Sequence, residues 1–75
     1  MTIDEKRIFL LLSGWKAFTN TFNTFDNTGR KRTITHYAWI LPRLDDPNKL
    51  KIASDIYADD DLAIEWAYNY TVYST

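Results

Sequence analysis

The run from Thr33 to Pro42 constrains the fold of this chain more than any other stretch. It reads Thr-Ile-Thr-His-Tyr-Ala-Trp-Ile-Leu-Pro, and β-branched and aromatic side chains of this kind favour a β-strand. The strand should end at Pro42, because proline lacks the amide hydrogen that a ladder needs. Alternation along the run leaves neither face uniformly polar, so we predict a central strand that is covered by protein on both faces.

Two further strands are predicted beside this central strand. Residues 16–25 are rich in threonine and asparagine, which favour caps and strands over helices, and we interpret them as an irregular edge strand. A turn at 26–29 leads from it into the central strand. After a second turn at 44–48, the partly alternating residues 49–57 are predicted to return as a third strand.

A single long N-terminal helix is the alternative for residues 3–25. Apolar residues there repeat at intervals of three and four, as in a heptad seam. Gly14 and the threonines and asparagines argue against it. In either arrangement we expect four aromatic side chains to pack inward, namely Trp15, Phe18, Phe22 and Phe25.

A helix is predicted at each end of the chain. Thr2 and Glu5 form a capping-box pattern, so the first helix should begin near Ile3 and end at Ser13, before a left-handed Gly14. Its apolar stripe should comprise Ile8, Leu11, Leu12 and Trp15. The second helix should open after Asp59, Asp60 and Asp61, with Ala63, Trp66, Ala67 and Tyr70 on one face and Leu62 beside them.

These elements predict a single small α+β domain over residues 1–75. The order is αβββα, or αββα if residues 16–25 are not a strand, with an antiparallel sheet of two or three strands centred on 33–42. Both terminal helices should pack on this sheet.

Length and composition restrict what can stabilise such a domain. The core of a chain this short rarely supplies more than roughly 3 to 5 kcal/mol. The sequence has no cysteine and one histidine, which excludes disulfides and a Cys/His metal site. Self-association or a protein partner is the remaining reinforcement.

Charge is divided unevenly along the chain. Residues 1–43 hold seven Lys/Arg and three acids, a net +4, whereas residues 44–75 hold two lysines and seven acids, a net −5. Such a bipolar surface suits a protein partner or a second copy better than nucleic acid. The longest apolar run near the start, residues 8–12, is too short for a signal peptide or membrane span, so we expect a cytoplasmic protein without membrane contact.

Catalytic, metal and cofactor signals are weak. His36 is the sole candidate general base, and no nucleophile with a catalytic signature accompanies it. The aspartates at 59–61 are explained better by helix capping than by a cation. We therefore expect no enzyme activity, no catalytic or metal-ligating residue and no cofactor.

Basic residues at the predicted hairpin offer an alternative function in nucleic-acid binding. Arg30, Lys31 and Arg32, with Arg43 nearby, would contact phosphates while Tyr37 and Trp39 stack on bases. Nucleic acid is the less favoured partner, because a solvated turn also explains the basic triplet.

Surplus aromatic side chains favour protein binding as the main function. Three tryptophans and five tyrosines are more than so small a core should cover, and both residue types are common at interfaces. The predicted partner-binding residues are Tyr37, Trp39, Arg43, Tyr68, Tyr70 and Tyr73.

Three short motifs resemble small accessory proteins encoded by bacteriophages. They are Leu12-Ser13-Gly14-Trp15-Lys16 at the end of the first helix, Trp39-Ile40-Leu41-Pro42, and a terminal helix with Tyr57 and Ala63. The resemblance implies a phage accessory protein in the host cytoplasm, acting by protein binding. Inhibitors of host defence proteins occur among such proteins. It assigns no functional residue.

Overall fold

A computed structural model describes residues 1–73 as two helices and a three-stranded antiparallel sheet. The strands lie in the sheet in chain order, so the second strand, Lys31–Pro42, is the central one. The predicted α+β class and the order helix, three strands, helix are confirmed. The elements are α1 (Ile3–Leu12), β1 (Lys16–Phe25), β2 (Lys31–Pro42), β3 (Leu50–Ala53) and α2 (Asp60–Tyr73).

Local capping fixes both ends of α1, as predicted. The Thr2 hydroxyl accepts from the Glu5 amide, and the Glu5 carboxylate accepts from the Thr2 amide. At the other end Gly14 has φ +97°, and the Trp15 amide donates to the Leu10 carbonyl at 3.0 Å. This left-handed cap directs the chain from the helix into β1 and places Trp15 beside Leu10 in the core.

The inward face of α1 differs from the predicted stripe. Ile8, Leu11 and Leu12 are exposed, whereas Leu10 is fully buried and Phe9 packs against the core. Residues 8–12 are apolar without interruption, so periodicity cannot distinguish one face there. The position of α2 decides it, because the Phe9 ring meets the Tyr68 ring edge to face at 5.5 Å.

β1 and β2 form a long hairpin that extends beyond the helices. Their register is continuous from Lys16↔Ile40 to Phe25↔Lys31, which confirms residues 16–25 as an edge strand. The inward packing predicted for four aromatics holds for Trp15 and is wrong for Phe18, Phe22 and Phe25, which are exposed. Phe25 lies near the tip of the hairpin, whereas Phe18 and Phe22 lie on the face of the sheet that no helix in residues 1–73 covers.

β3 is shorter than the predicted strand 49–57. Pairing with β2 shifts register between Leu41 and Pro42, and the chain leaves the ladder after Ala53. Ser54 then replaces a ladder partner, since its hydroxyl accepts from the Trp39 amide at 2.8 Å. Further along, the backbones of Tyr37 and Tyr57 exchange two hydrogen bonds, of 2.7 and 2.9 Å. These two contacts keep the β2 backbone hydrogen-bonded where the regular strand has ended.

α2 covers one face of the sheet. Ala63, Ile64 and Ala67 are fully buried against it, so the predicted face is confirmed with Ile64 added, whereas Leu62 is exposed. The core comprises Leu10, Trp15, Trp39, Ala63, Ile64 and Ala67. Both helices lie on the Trp39 side, so the prediction that both faces of the central strand are covered is wrong within residues 1–73.

The turn of the hairpin is stabilised by the Asp26 carboxylate. It accepts from the Thr28 hydroxyl at 2.6 Å and from the Arg30 amide at 2.9 Å. These hydrogen bonds, that from the Thr28 hydroxyl first, lower the pKa of Asp26 below its ordinary value.

We expect Asp26 to stabilise the hairpin at neutral pH and to lose this effect in acid. A lowered folded-state pKa contributes stability above the unfolded value of about 4, and the contribution disappears as pH falls through the folded value. Thermal unfolding of wild type and Asp26→Asn, followed from pH 7 to pH 2, should show a gap that closes below about pH 4. A gap that stays constant with pH would contradict this account.

Candidate protein-binding surface

The side of the sheet that faces away from the helices carries apolar and polar side chains in alternating pairs, and we call it the outer face. Directly paired residues of antiparallel strands project to the same side, and the side opposite Trp39 is defined by alternate pairs of β1 and β2. These pairs are Lys16↔Ile40, Phe18↔Ala38, Asn20↔His36, Phe22↔Ile34 and Thr24↔Arg32.

Large apolar side chains lie near the middle of the outer face, on either side of its central polar pair, Asn20 and His36. Phe18 is 50% exposed and Phe22 is 39% exposed. The Phe22 ring meets the His36 ring edge to face at 5.1 Å, and Ile34 lies directly opposite Phe22. No helix within residues 1–73 covers these side chains, so the face presents rings and aliphatic groups to whatever binds there.

Charge on the outer face has one sign. Lys16 lies at one end and Arg32 at the other, and none of the paired outer-face positions carries a carboxylate. Asp26, in the turn, lies 3.5 Å from the Arg32 guanidinium. An apolar centre between two cations is complementary to an apolar surface flanked by carboxylates.

The outer face continues to a strand edge that no other strand within residues 1–73 pairs with. β1 is the edge strand of the sheet, and its register with β2 contains no bulge. From Ala17 to Phe25 it carries no charge and no proline. Proteins commonly protect edge strands with such residues or with bulges, so this edge is open to pairing with another strand.

The predicted partner-binding residues do not form one surface. Trp39 is 1% exposed and lies in the core, and Tyr37 packs against that core on the helix side of the sheet. Tyr68 packs on Phe9, and Tyr70 stacks on Trp66. The other two are accessible but separate: Tyr73 is 78% exposed at the end of α2, and Arg43 forms a bidentate pair with Asp45.

The basic residues considered for nucleic acid are also separated. Arg30, Lys31 and Arg32 are exposed at the tip of the hairpin. Arg43 follows the opposite end of β2, roughly 35 Å away at 3.3 Å per residue. Trp39 is buried, so its ring is not available for stacking on a base.

The acidic residues at the start of α2 have structural roles. Asp59 accepts from the Asp61 amide at 3.0 Å, which is the geometry of a helix cap. Asp60 accepts from the Trp39 indole at 3.0 Å and pairs with Arg7. Across residues 1–73, no three His, Asp or Glu side chains are grouped so that they could hold a metal ion.

A groove lies at the opposite end of the sheet from the hairpin tip. It has a volume of about 640 Å³ and lies between the end of α1 and the turn after β2. Its apolar lining includes Leu41 and Pro42, and its charged lining comprises Lys16, Arg43, Asp45 and Lys51. It is an open groove beside the outer face, and only Lys16 belongs to both.

Sequence reasoning missed the outer-face residues Phe18, Phe22 and Ile34 because it expected the rings to pack inward. The available signal was their spacing. The two phenylalanines are four residues apart in a strand, so their side chains share a face. Trp15 is an odd number of residues from each of them, so its side chain lies on the opposite face. Parity alone could have separated these rings from the buried tryptophan.

Compared with protein-family models, with curated proteins and with solved structures, the chain has no match. In the part of the chain that the structure describes, neither helix is long and apolar enough to cross a membrane. The fold and the surface thus define a small α+β domain with one open sheet face.

Proposed function

We propose that this protein acts by binding another protein through the outer face of its sheet. The observation that carries the proposal is the apolar centre formed by the exposed Phe18 and Phe22 and the half-buried Ile34. It lies between the cations Lys16 and Arg32. Apolar patches rimmed by polar groups are typical of interaction sites. The complementary partner presents apolar side chains flanked by Asp or Glu.

The biological setting of this binding is proposed from the resemblance to bacteriophage accessory proteins. On that basis the partner is a host protein in the cytoplasm, and the binding inhibits it, with host defence proteins as the target class. The resemblance supports this setting, and the surface supports the mode of binding.

Adjacent residues on opposite faces of β2 provide a matched test. Ile34→Glu places a carboxylate in the apolar centre, whereas Thr33→Glu places the same group on the exposed opposite side of the hairpin. Both variants, with wild type, are immobilised and exposed to lysate of the bacterial host, and bound proteins are identified by mass spectrometry.

We expect a protein retained by wild type and by Thr33→Glu to be lost from Ile34→Glu, with affinity reduced by about 100-fold or more, the loss expected at a binding hot spot. Equal retention by all three chains would contradict binding through the outer face. Steeply salt-dependent retention of DNA or RNA, reduced by substituting Arg30 and Lys31, would favour the nucleic-acid alternative.

A further inference from the structure

We infer that two copies of this chain pair through their β1 strands, antiparallel and centred on Asn20, to form one continuous sheet. This deepens the proposed function, because pairing would join two outer faces side by side. It can fail independently of that function, since it concerns the edge of the sheet and not the face.

The backbone of β1 is ready for such pairing. Asp26, which continues the β1 register, donates its amide to the Arg30 carbonyl, so even-numbered residues of β1 bond to β2. The odd-numbered residues therefore direct their amides and carbonyls to the open edge. Ala17, Thr19, Thr21 and Asn23 together present a row of donors and acceptors that an antiparallel strand can match.

The sequence of this edge reads the same in both directions. Residues 18–22 are Phe-Thr-Asn-Thr-Phe, a palindrome centred on Asn20. In an antiparallel pair centred there, Phe18 faces Phe22 of the second copy and Thr19 faces its Thr21. Aromatic pairs and threonine pairs are favourable cross-strand neighbours, and the chain already uses the second kind, since the Thr21 and Thr35 hydroxyls lie 3.2 Å apart.

A second copy explains this edge better than a strand of another protein. An unrelated strand could bond to the same backbone groups, but it gives no reason for the symmetric order of the side chains. The assembly should also stop at two copies, because the outermost strand on each side of the joined sheet would be β3, which is only four residues long. Such short edges limit further growth of a sheet.

Charge swapping at the centre provides the first test. Asn20 faces itself in the pair, so Asn20→Lys and Asn20→Glu should each oppose like charges and raise the dimer Kd about tenfold or more. An equimolar mixture of the two variants should recover the dimer. Thr33→Lys adds the same charge on β2, away from the open edge, and serves as the matched control, with little expected change.

The measurement is sedimentation across a concentration series reaching about 1 mM, with circular dichroism to confirm that each variant is folded. A wild type that stays monomeric throughout would overturn the inference. An unchanged dimer Kd in Asn20→Lys and Asn20→Glu would also overturn it, as would an equimolar mixture of the two that does not dimerise.

Disulfide trapping fixes the register. The chain has no cysteine, so Asn20→Cys introduces a single thiol that meets its own copy across the axis, within the Cα separation that a disulfide spans. Thr24→Cys lies on the same strand and face, but its two copies would be roughly 26 Å apart. Mild oxidation should crosslink Asn20→Cys alone.

Equal crosslinking of both cysteine variants, or faster crosslinking of Thr24→Cys, would overturn the pairing. Ile34→Glu should keep the wild-type dimer, because Ile34 lies on β2 and away from the open edge. A monomeric wild type that still binds a partner through Ile34 would leave the proposed function in place while refuting self-pairing.

Discussion

Trp39→Ala is expected to leave the chain unfolded at 25 °C. Removing a buried tryptophan side chain costs about 3 to 5 kcal/mol, which equals roughly the whole stability that a core of this size supplies. Trp39 is 1% exposed in the central strand, and its indole donates to the Asp60 carboxylate at 3.0 Å. The substitution therefore removes the ring under α2 and a hydrogen bond to the first turn of that helix.

Heteronuclear NMR and far-ultraviolet circular dichroism distinguish the outcomes for this variant. We expect the amide proton chemical shifts to fall in the narrow range typical of an unfolded chain. A cooperative thermal transition close to that of wild type would contradict this prediction. Trp39→Phe is the matched control, because it keeps an aromatic ring and loses the hydrogen bond to Asp60. It should remain folded with reduced stability, because the smaller ring fills less of the core and cannot donate to Asp60, which keeps its ion pair with Arg7.

Trp15→Ala is expected to have an effect of similar size at the other end of α2. Trp15 follows the left-handed cap of α1, is buried beside Leu10, and donates its indole hydrogen to the Thr71 hydroxyl at 3.0 Å. Its ring also meets Tyr70 edge to face at 6.0 Å. Removing the ring costs about 3 to 5 kcal/mol and separates the start of β1 from the last turns of α2.

Thr71→Val separates the hydrogen bond from the packing in this cluster. Valine keeps the branched shape and leaves the Trp15 indole without its acceptor, at a cost of about 1 to 3 kcal/mol. Urea unfolding should therefore rank wild type above Thr71→Val, and Thr71→Val above Trp15→Ala. Equal midpoints for wild type and Trp15→Ala would show that the indole does not hold α2 to the sheet.

Much of the fold could be predicted because its signals are local. The Thr2 and Glu5 capping box, the left-handed Gly14 and the Asp26 turn each depend on a few neighbouring residues. The central strand followed from β-branched and aromatic composition. None of these features requires knowledge of what packs above the sheet.

The candidate site was less predictable because exposure depends on distant elements. Tyr37 and Trp39 were expected to meet a partner, yet they lie on the side that α2 covers. Phe18 and Phe22 were expected in the core, yet they lie on the side without a helix in residues 1–73. Strand parity separates the two sets, but only the position of the helices decides which set is buried.

The amino-acid sequence by itself determined the central strand, the turns, the helix caps and the palindrome in β1, since each depends on neighbouring residues. The tertiary structure decided that both helices lie on one face, that residues 8–12 expose Ile8, Leu11 and Leu12, and that the outer face stays open. The physical reason is that burial is a property of pairs of surfaces. The indoles of Trp15 and Trp39 donate hydrogen bonds to side chains of α2, which holds that helix on one face of the sheet. No other element of the described chain remains to cover the opposite face.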